Sequence, residues 1–162
     1  MDLAVPVVGH SLKTFASHAE LLACVGQEVV VSDWTQVTQP QVQLFADATG
    51  DQQWIHVDPE RAETGPFGAT IAHGFLTLAL IPRWMEASLQ IAEARMSINY
   101  GLNKLRFPAP VPVGSRLRAR FKLASADALD ESSVQLQWDV TVEREGHAKP
   151  VCVAELLVRS YT

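Results

Sequence analysis

Two strictly alternating stretches dominate the last third of the chain. In residues 115–123, Leu117, Ala119, Phe121 and Leu123 alternate with Arg116, Arg118, Arg120 and Lys122. In residues 134–143, Val134, Leu136, Trp138, Val140 and Val142 alternate with Gln135, Gln137, Asp139, Thr141 and Glu143. A period of two puts each set on one face of a strand, so both stretches predict half-buried β-strands. Residues 126–131 are then the connection of an antiparallel hairpin, and opposite charges meet across it, Arg118 near Asp139 for example. Residues 96–107 add a strand interrupted by Gly101, and the Pro-rich residues 108–114 force a turn. Residues 151–161 close the sheet, with Pro150 before them.

The first half reads differently. Phe15, Ala19, Leu22 and Val25 recur at helical spacing over residues 14–25, and Gly26 supplies a stop. Residues 29–37 predict a short strand. Thr38 is placed to cap a following helix, with Gln41 completing a capping box and Gly50 closing the helix in a left-handed turn. The buried stripe of that helix is Val42, Phe45 and Ala46. Asp58-Pro59-Glu60-Arg61 can start one helical turn, and residues 64–68 are an irregular connection. Residues 74–85 (Phe75, Leu76, Leu78, Ala79, Leu80, Ile81, Trp84, Met85) are apolar on nearly every side, which predicts a buried helix that Pro82 must kink or end. One long apolar helix followed by long antiparallel strands predicts an α+β fold in which the sheet wraps around the helix, the hot-dog arrangement.

Composition narrows the class. The 162 residues suit one domain, residues 1–162, with 1–37 as an N-terminal extension carrying a helix and a first strand. A formal net charge of −5 gives no electrostatic reason to expect a nucleic-acid partner. Cys24 and Cys152 form neither a disulfide framework nor a metal-ligand spacing, and are expected as thiols in a reducing compartment. No apolar run reaches membrane-spanning length, and residues 1–12, a loose lead-in, lack the features of a signal peptide. The expectation is a cytoplasmic protein with no membrane partner.

The candidate chemistry lies in Gly50-Asp51-Gln52-Gln53-Trp54-Ile55-His56. On a helix, residues five apart diverge by about 140°, so Asp51 and His56 can cooperate only if a loop presents them. Trp54 and Ile55 would hold the pair away from bulk water. Ile71-Ala72-His73-Gly74 then opens the apolar helix, where a free backbone N–H suits a developing oxyanion. A proton-handling pair beside a backbone donor meets the needs of water addition next to a carbonyl: water loses a proton as it attacks the β-carbon, the α-carbon gains one, and the thioester oxygen carries enolate charge. Neither a metal nor a redox cofactor is needed.

The run Phe45-Ala46-Asp47-Ala48-Thr49-Gly50-Asp51-Gln52-Gln53-Trp54-Ile55-His56 resembles the Gly-Asp-x-Asn-Pro-Ile/Leu-His signature of the MaoC-like (R)-specific enoyl-CoA hydratases. Ala72-His73-Gly74 and Lys104-Leu105-Arg106-Phe107-Pro108-Ala109-Pro110-Val111-Pro112-Val113-Gly114 also match that family's pattern. The resemblance spans residues 37–162 and is strongest to the single-hot-dog, nodulation-protein-N-like branch. It implies reversible hydration of a trans-2-enoyl-CoA to an (R)-3-hydroxyacyl-CoA, with Asp51 and His56 catalytic and the Gly74 N–H as oxyanion donor. It also implies a homodimer with the acyl tunnel near the subunit interface, and acyl-CoA or an acyl-carrier-protein thioester as substrate. Gln53 stands where the family has asparagine and Trp54 where it has proline. Gln53 is expected to keep the orienting role with altered geometry, and Trp54 either packs or narrows the acyl tunnel.

Other residues carry weaker expectations. His73 is expected to orient rather than catalyse. His10, His18 and His147 fall in predicted surface segments. Arg116, Arg118, Arg120 and Lys122 form a solvated strand face, with a minority reading in which some of them, with Lys104 or Arg106, meet CoA phosphates. Arg106 has a competing role as a buried anchor, and Trp84 and Trp138 are expected in the core. An acyl-CoA thioesterase and a non-catalytic acyl-CoA-binding protein are the alternatives the fold permits.

Overall fold

The computed structural model describes residues 12–162; His10 and nearly all of the lead-in lie outside them. Strands β2 (Glu28–Val31), β3 (Thr35–Gln36), β5 (Met96–Arg106), β6 (Arg116–Asp130), β7 (Ser133–Arg144) and β8 (Cys152–Tyr161) form one six-stranded sheet. Its order is β2-β6-β7-β8-β5, every pairing is antiparallel, and β3 continues the β2 side along β6. A small parallel pair, β1 (Lys13–Phe15) with β4 (Leu89–Ile91), lies apart from it.

The alternating strands bury the residues their pattern selects: Leu117, Ala119, Phe121 and Leu123 on β6, and Leu136, Trp138, Val140 and Val142 on β7. The hairpin is tighter than expected. Both strands run on to Asp130 and Ser133, leaving a two-residue turn in which the Asp130 carboxylate accepts the Ser132 N–H at 2.8 Å. This extension sets the register, so Arg118 faces Glu143 (2.7 Å) and Asp139 faces Lys122. The outer face is an ion-pair ladder, since Arg116 binds Glu145 and Arg120 binds Glu28.

Helix α1 (His18–Leu22) is shorter than predicted because residues 13–15 form β1 first. Its His18, expected on the surface, is 9% exposed: Nε2 meets Ser160 Oγ at 2.8 Å and Nδ1 lies 3.1 Å from Glu93 Oε1. His147 is exposed. Helix α2 (Gln39–Thr49) has the predicted capping box at Thr38 and Gln41, and Gly50 closes it at φ 79°. After two short helices, α3 (Trp54–Val57) and α4 (Pro59–Glu63), the apolar run forms α5 (Gly74–Ala79) and α6 (Ile81–Ser88), broken at Leu80. Pro82 sits in the first turn of α6, where its missing N–H costs nothing.

Leu76, Ile81 and Trp84 pack on the sheet as part of the core. The run is not covered all round, however. Phe75 is 65% exposed and Ala79 is exposed, because the sheet covers only one side of the helix pair. Among the described residues no helix is long and apolar enough to cross a membrane.

Candidate active site

Asp51, His56 and His73 converge. Gly50 ends α2 in a left-handed conformation that favours glycine, and so turns the chain into an exposed loop bearing Asp51. His56 follows on the single turn of α3, which replaces the expected loop there. Its side chain is buried, and its Nδ1 lies 2.7 Å from the Ile71 carbonyl. A carbonyl only accepts, so Nδ1 carries the proton and Nε2 of the neutral ring keeps its lone pair. Burial pulls the His56 pKa below its ordinary value, as does the neighbouring His73, while the Ile71 carbonyl and Asp51 oppose the shift.

His73 is 3% exposed and stacks on His56 with ring centroids 3.8 Å apart and planes tilted by 24°. Phe45 covers it from α2, centroids 4.9 Å apart. His73 Nε2 donates to the Asp51 carbonyl at 3.0 Å and lies 4.0 Å from Asp51 Oδ2. One imidazole thus touches both other members of the group.

Donor atoms of Asp51, His56 and His73 all lie within 4.8 Å of one another, a spacing that could in principle hold a metal ion. The ring geometry does not suit one. Lone pairs lie in the ring planes, and two nearly parallel planes run side by side instead of converging on a point at bonding distance. His73 Nε2 is also already committed to a carbonyl.

Gly74 opens α5 beside this group, and the first N–H groups of a helix have no partner within it. A Cβ built there would fall 2.8 Å from Cδ2 of Phe107, whose ring packs edge-on to Phe75 at 5.8 Å. Phe107 is therefore a neighbour of the site that sequence reasoning matched only as part of a motif.

The remaining candidates separate from the group. Gln53 is exposed and makes no side-chain capping bond. Gln52 turns away to Asp47 at 2.8 Å. Trp54 packs on Gly65 and under the Arg61 guanidinium, 4.4 Å away. Lys104 pairs loosely with Glu155 (3.9 Å), and Arg106 is exposed on β5 instead of being a buried anchor. Gln39 went unnoticed in the sequence: its amide reaches the His56 carbonyl at 2.8 Å and the Thr70 hydroxyl at 2.6 Å. No local pattern marks contacts across 17 and 31 residues.

Residues 10–144 match the family described as the MaoC like domain. The chain belongs to the MaoC-like dehydratase family. It is a hydro-lyase with a hot-dog fold. It is 58% identical over 148 residues to the 3-hydroxyacyl-thioester dehydratase Z of Mycobacterium tuberculosis, covering 91% of this chain and 98% of that one. It is 45% identical over 140 residues to Nodulation protein N of Rhizobium leguminosarum bv. viciae, covering 85% and 87%. Among solved structures it is similar to the R-hydratase PhaJ1 from Pseudomonas aeruginosa, with a TM-score of 0.69 and 29% identity over 88% of this chain and 84% of that one. The MaoC-like pattern thus extends well upstream of residue 37, where the motif resemblance begins.

Proposed function

We propose that this MaoC-like protein hydrates a trans-2-enoyl thioester to the (R)-3-hydroxyacyl thioester, and runs the reverse dehydration, without a cofactor. The observation that carries the reading is the fixed tautomer of His56. Its Nδ1 proton is committed to Ile71, which leaves Nε2 with its lone pair on a ring that has a nitrogen within 4.8 Å of an Asp51 carboxylate oxygen. A water held between them loses a proton to His56 as its oxygen bonds the β-carbon, and that proton is relayed through Asp51 to the α-carbon on the same face, so both groups end as they began. The Gly74 N–H holds the enolate oxygen.

Two adjoining cavities of about 240 and 300 Å³ follow the helix pair away from Gly74. Leu78, Ala79 and Leu102 line the nearer, Met85, Trp138 and Val158 the farther, and Pro82 and Leu156 border both. The nearer, mainly apolar cavity suits the acyl chain, the farther is also lined by Glu86, Gln90, Arg95 and Ser97, and exposed Arg106 beside Phe107 would meet a CoA phosphate or the phosphopantetheine of a carrier protein. The buried Cys152 fits a reducing cytoplasmic setting.

The partner on the β5 edge is a second copy of the chain. Among the described residues the strand pairs only with β8, and it exposes Met96, Ile98, Tyr100 and Leu102. An eleven-residue edge strand with four exposed large apolar side chains is rarely left open, and a two-fold axis would pair it with itself. Light scattering on the purified chain tests this: a dimer is expected, with Ile98→Asp shifting it to monomer, and a monomeric wild type overturns it.

Hydration is tested by loss of the conjugated enoyl-thioester absorbance, with (R)- and (S)-specific dehydrogenases reading the product. Asp51→Asn and His56→Gln should each stay folded and lose about 10²–10⁴-fold in kcat. Near-normal turnover in either variant refutes the site, and free thiol without hydration points to a thioesterase.

A further inference from the structure

We infer that Gln39, on the first turn of α2, is a positioning residue for His56, acting through a closed circuit of hydrogen bonds. The inference rests on the hydratase reading of the site. The Gln39 amide can have only one orientation. Its Nε2 faces the His56 carbonyl, which only accepts, so Oε1 faces Thr70 and the Thr70 hydroxyl must donate to it. Thr70 precedes Ile71, whose carbonyl takes the His56 ring proton. One side chain thus grips the backbone of His56 and the segment that fixes its ring. Gln39 is half-buried, and Thr70 and His56 are 5% and 6% exposed, so water does not readily replace these bonds.

The far side of the circuit is rigid. Thr70 and Ala72 exchange backbone bonds with Val113 and Val111 at 2.8 Å each. A separate bond from the Ile71 N–H to the Ile55 carbonyl holds α3 to this segment without Gln39. Loss of Gln39 therefore leaves the fold closed and releases one constraint, the direction in which the His56 peptide carries its ring. A lone pair that swings away from the attacking water lowers the chemical step more than substrate binding.

The variants Gln39→Leu, Gln39→Glu, Thr70→Val and Thr70→Ser separate positioning from bulk structure, read by kcat, KM, melting temperature and ¹⁵N spectra of the His56 ring. Gln39→Leu is expected to lower kcat by about tenfold or more with KM within about threefold, and to mix the two His56 tautomers. Thr70→Val moves the same way, and Thr70→Ser, which keeps the hydroxyl, behaves as wild type. Gln39→Glu keeps the acceptor for Thr70 and sets a negative charge beside His56, whose titratable neighbours are otherwise Asp51 and His73. It should move the acid limb of kcat/KM to higher pH. Unchanged kcat and tautomer in Gln39→Leu overturn the inference, as does a kcat loss that Thr70→Ser shares with Thr70→Val. A wild type that hydrates no enoyl thioester sinks the functional reading instead, and the ¹⁵N tautomer comparison then decides the positioning claim alone.

Discussion

The Gly74→Ala substitution asks most of the proposed geometry, because it adds one methyl group and keeps every backbone N–H. The new Cβ would lie 2.8 Å from Cδ2 of Phe107 and 3.0 Å from its Cγ and Cε2, where ordinary contact begins at 3.4 Å. Since Cγ is included, the ring cannot merely tip; it must retreat bodily by about 0.6 Å. Overpacking of this kind costs about 1–3 kcal/mol. Replacing glycine in a helical first turn returns about 0.4–1 kcal/mol through the unfolded chain. The net expectation is a loss of about 1–2 kcal/mol, or roughly 2–8 °C in melting temperature for a domain of this size. Turnover should fall by about 10²-fold, because the methyl group and the displaced ring intrude where the thioester oxygen meets the Gly74 N–H. Thermal unfolding and enoyl-thioester hydration are measured on Gly74→Ala, Phe107→Ala and the double variant. If the clash is real, removing the ring relieves it, and the double variant is more stable than the sum of the single effects by about 0.5–3 kcal/mol. Additive stabilities within error would refute the close approach, and full turnover in Gly74→Ala would refute its part in catalysis.

Three further outcomes follow from other parts of the molecule. Because burial lowers the His56 pKa, Nε2 stays basic under mildly acid conditions, and the acid limb of kcat/KM should lie below the ordinary imidazole value of 6.5; a limb above that value contradicts it. The same shift bears on stability: as pH falls below the unfolded value the unfolded chain takes a proton that native His56 refuses, so this contribution is present above that pH and declines down to the native pKa. Burial pushes the Cys152 thiol up to about 12, so iodoacetamide should label Cys24 in the native protein and reach Cys152 only on unfolding, as peptide mass mapping would reveal. Finally, Leu156→Trp should fill the junction of the two cavities and reduce turnover of long enoyl chains at least about tenfold relative to crotonyl-CoA; equal effects on both would place the acyl chain elsewhere.

What could be read in advance was what a local pattern encodes. The alternation of Leu117 to Leu123 against Arg116 to Lys122 reports the two faces of a strand directly, and the structure buries the apolar set. Thr38 with Gln41, and Gly50 after them, are short-range capping chemistry and form as written. Asp51, His56 and Gly74 belong to motifs, and the structure gathers them with His73. Strand ends were less legible, because Asp127 and Asp130 look like turn residues although β6 continues through them. Least legible were bonds that depend on which distant segments meet. Gln39 carries no signal until α3 and Thr70 are folded against it, and Gln53 suggested an amide at a place where the backbone turns its side chain to solvent. His18 likewise reads as a polar residue at a helix start, and only β8 makes it a buried one.

That last junction has a consequence for the order in which the molecule can be completed. His18 and Ser160 are 142 positions apart, nearly the full span of the chain. Strand β2 likewise waits for β6. During synthesis α1 therefore cannot complete its docking until β8 has emerged, although its Leu21 belongs to the core of the finished protein. The hairpin of β6 and β7, closed by two residues, can form as soon as it is made, and the N-terminal segment returns to it afterwards. A nascent chain arrested before residue 160 would thus hold a formed hairpin and an α1 that lacks its bond to β8, a state more exposed to proteases and chaperones than the finished fold.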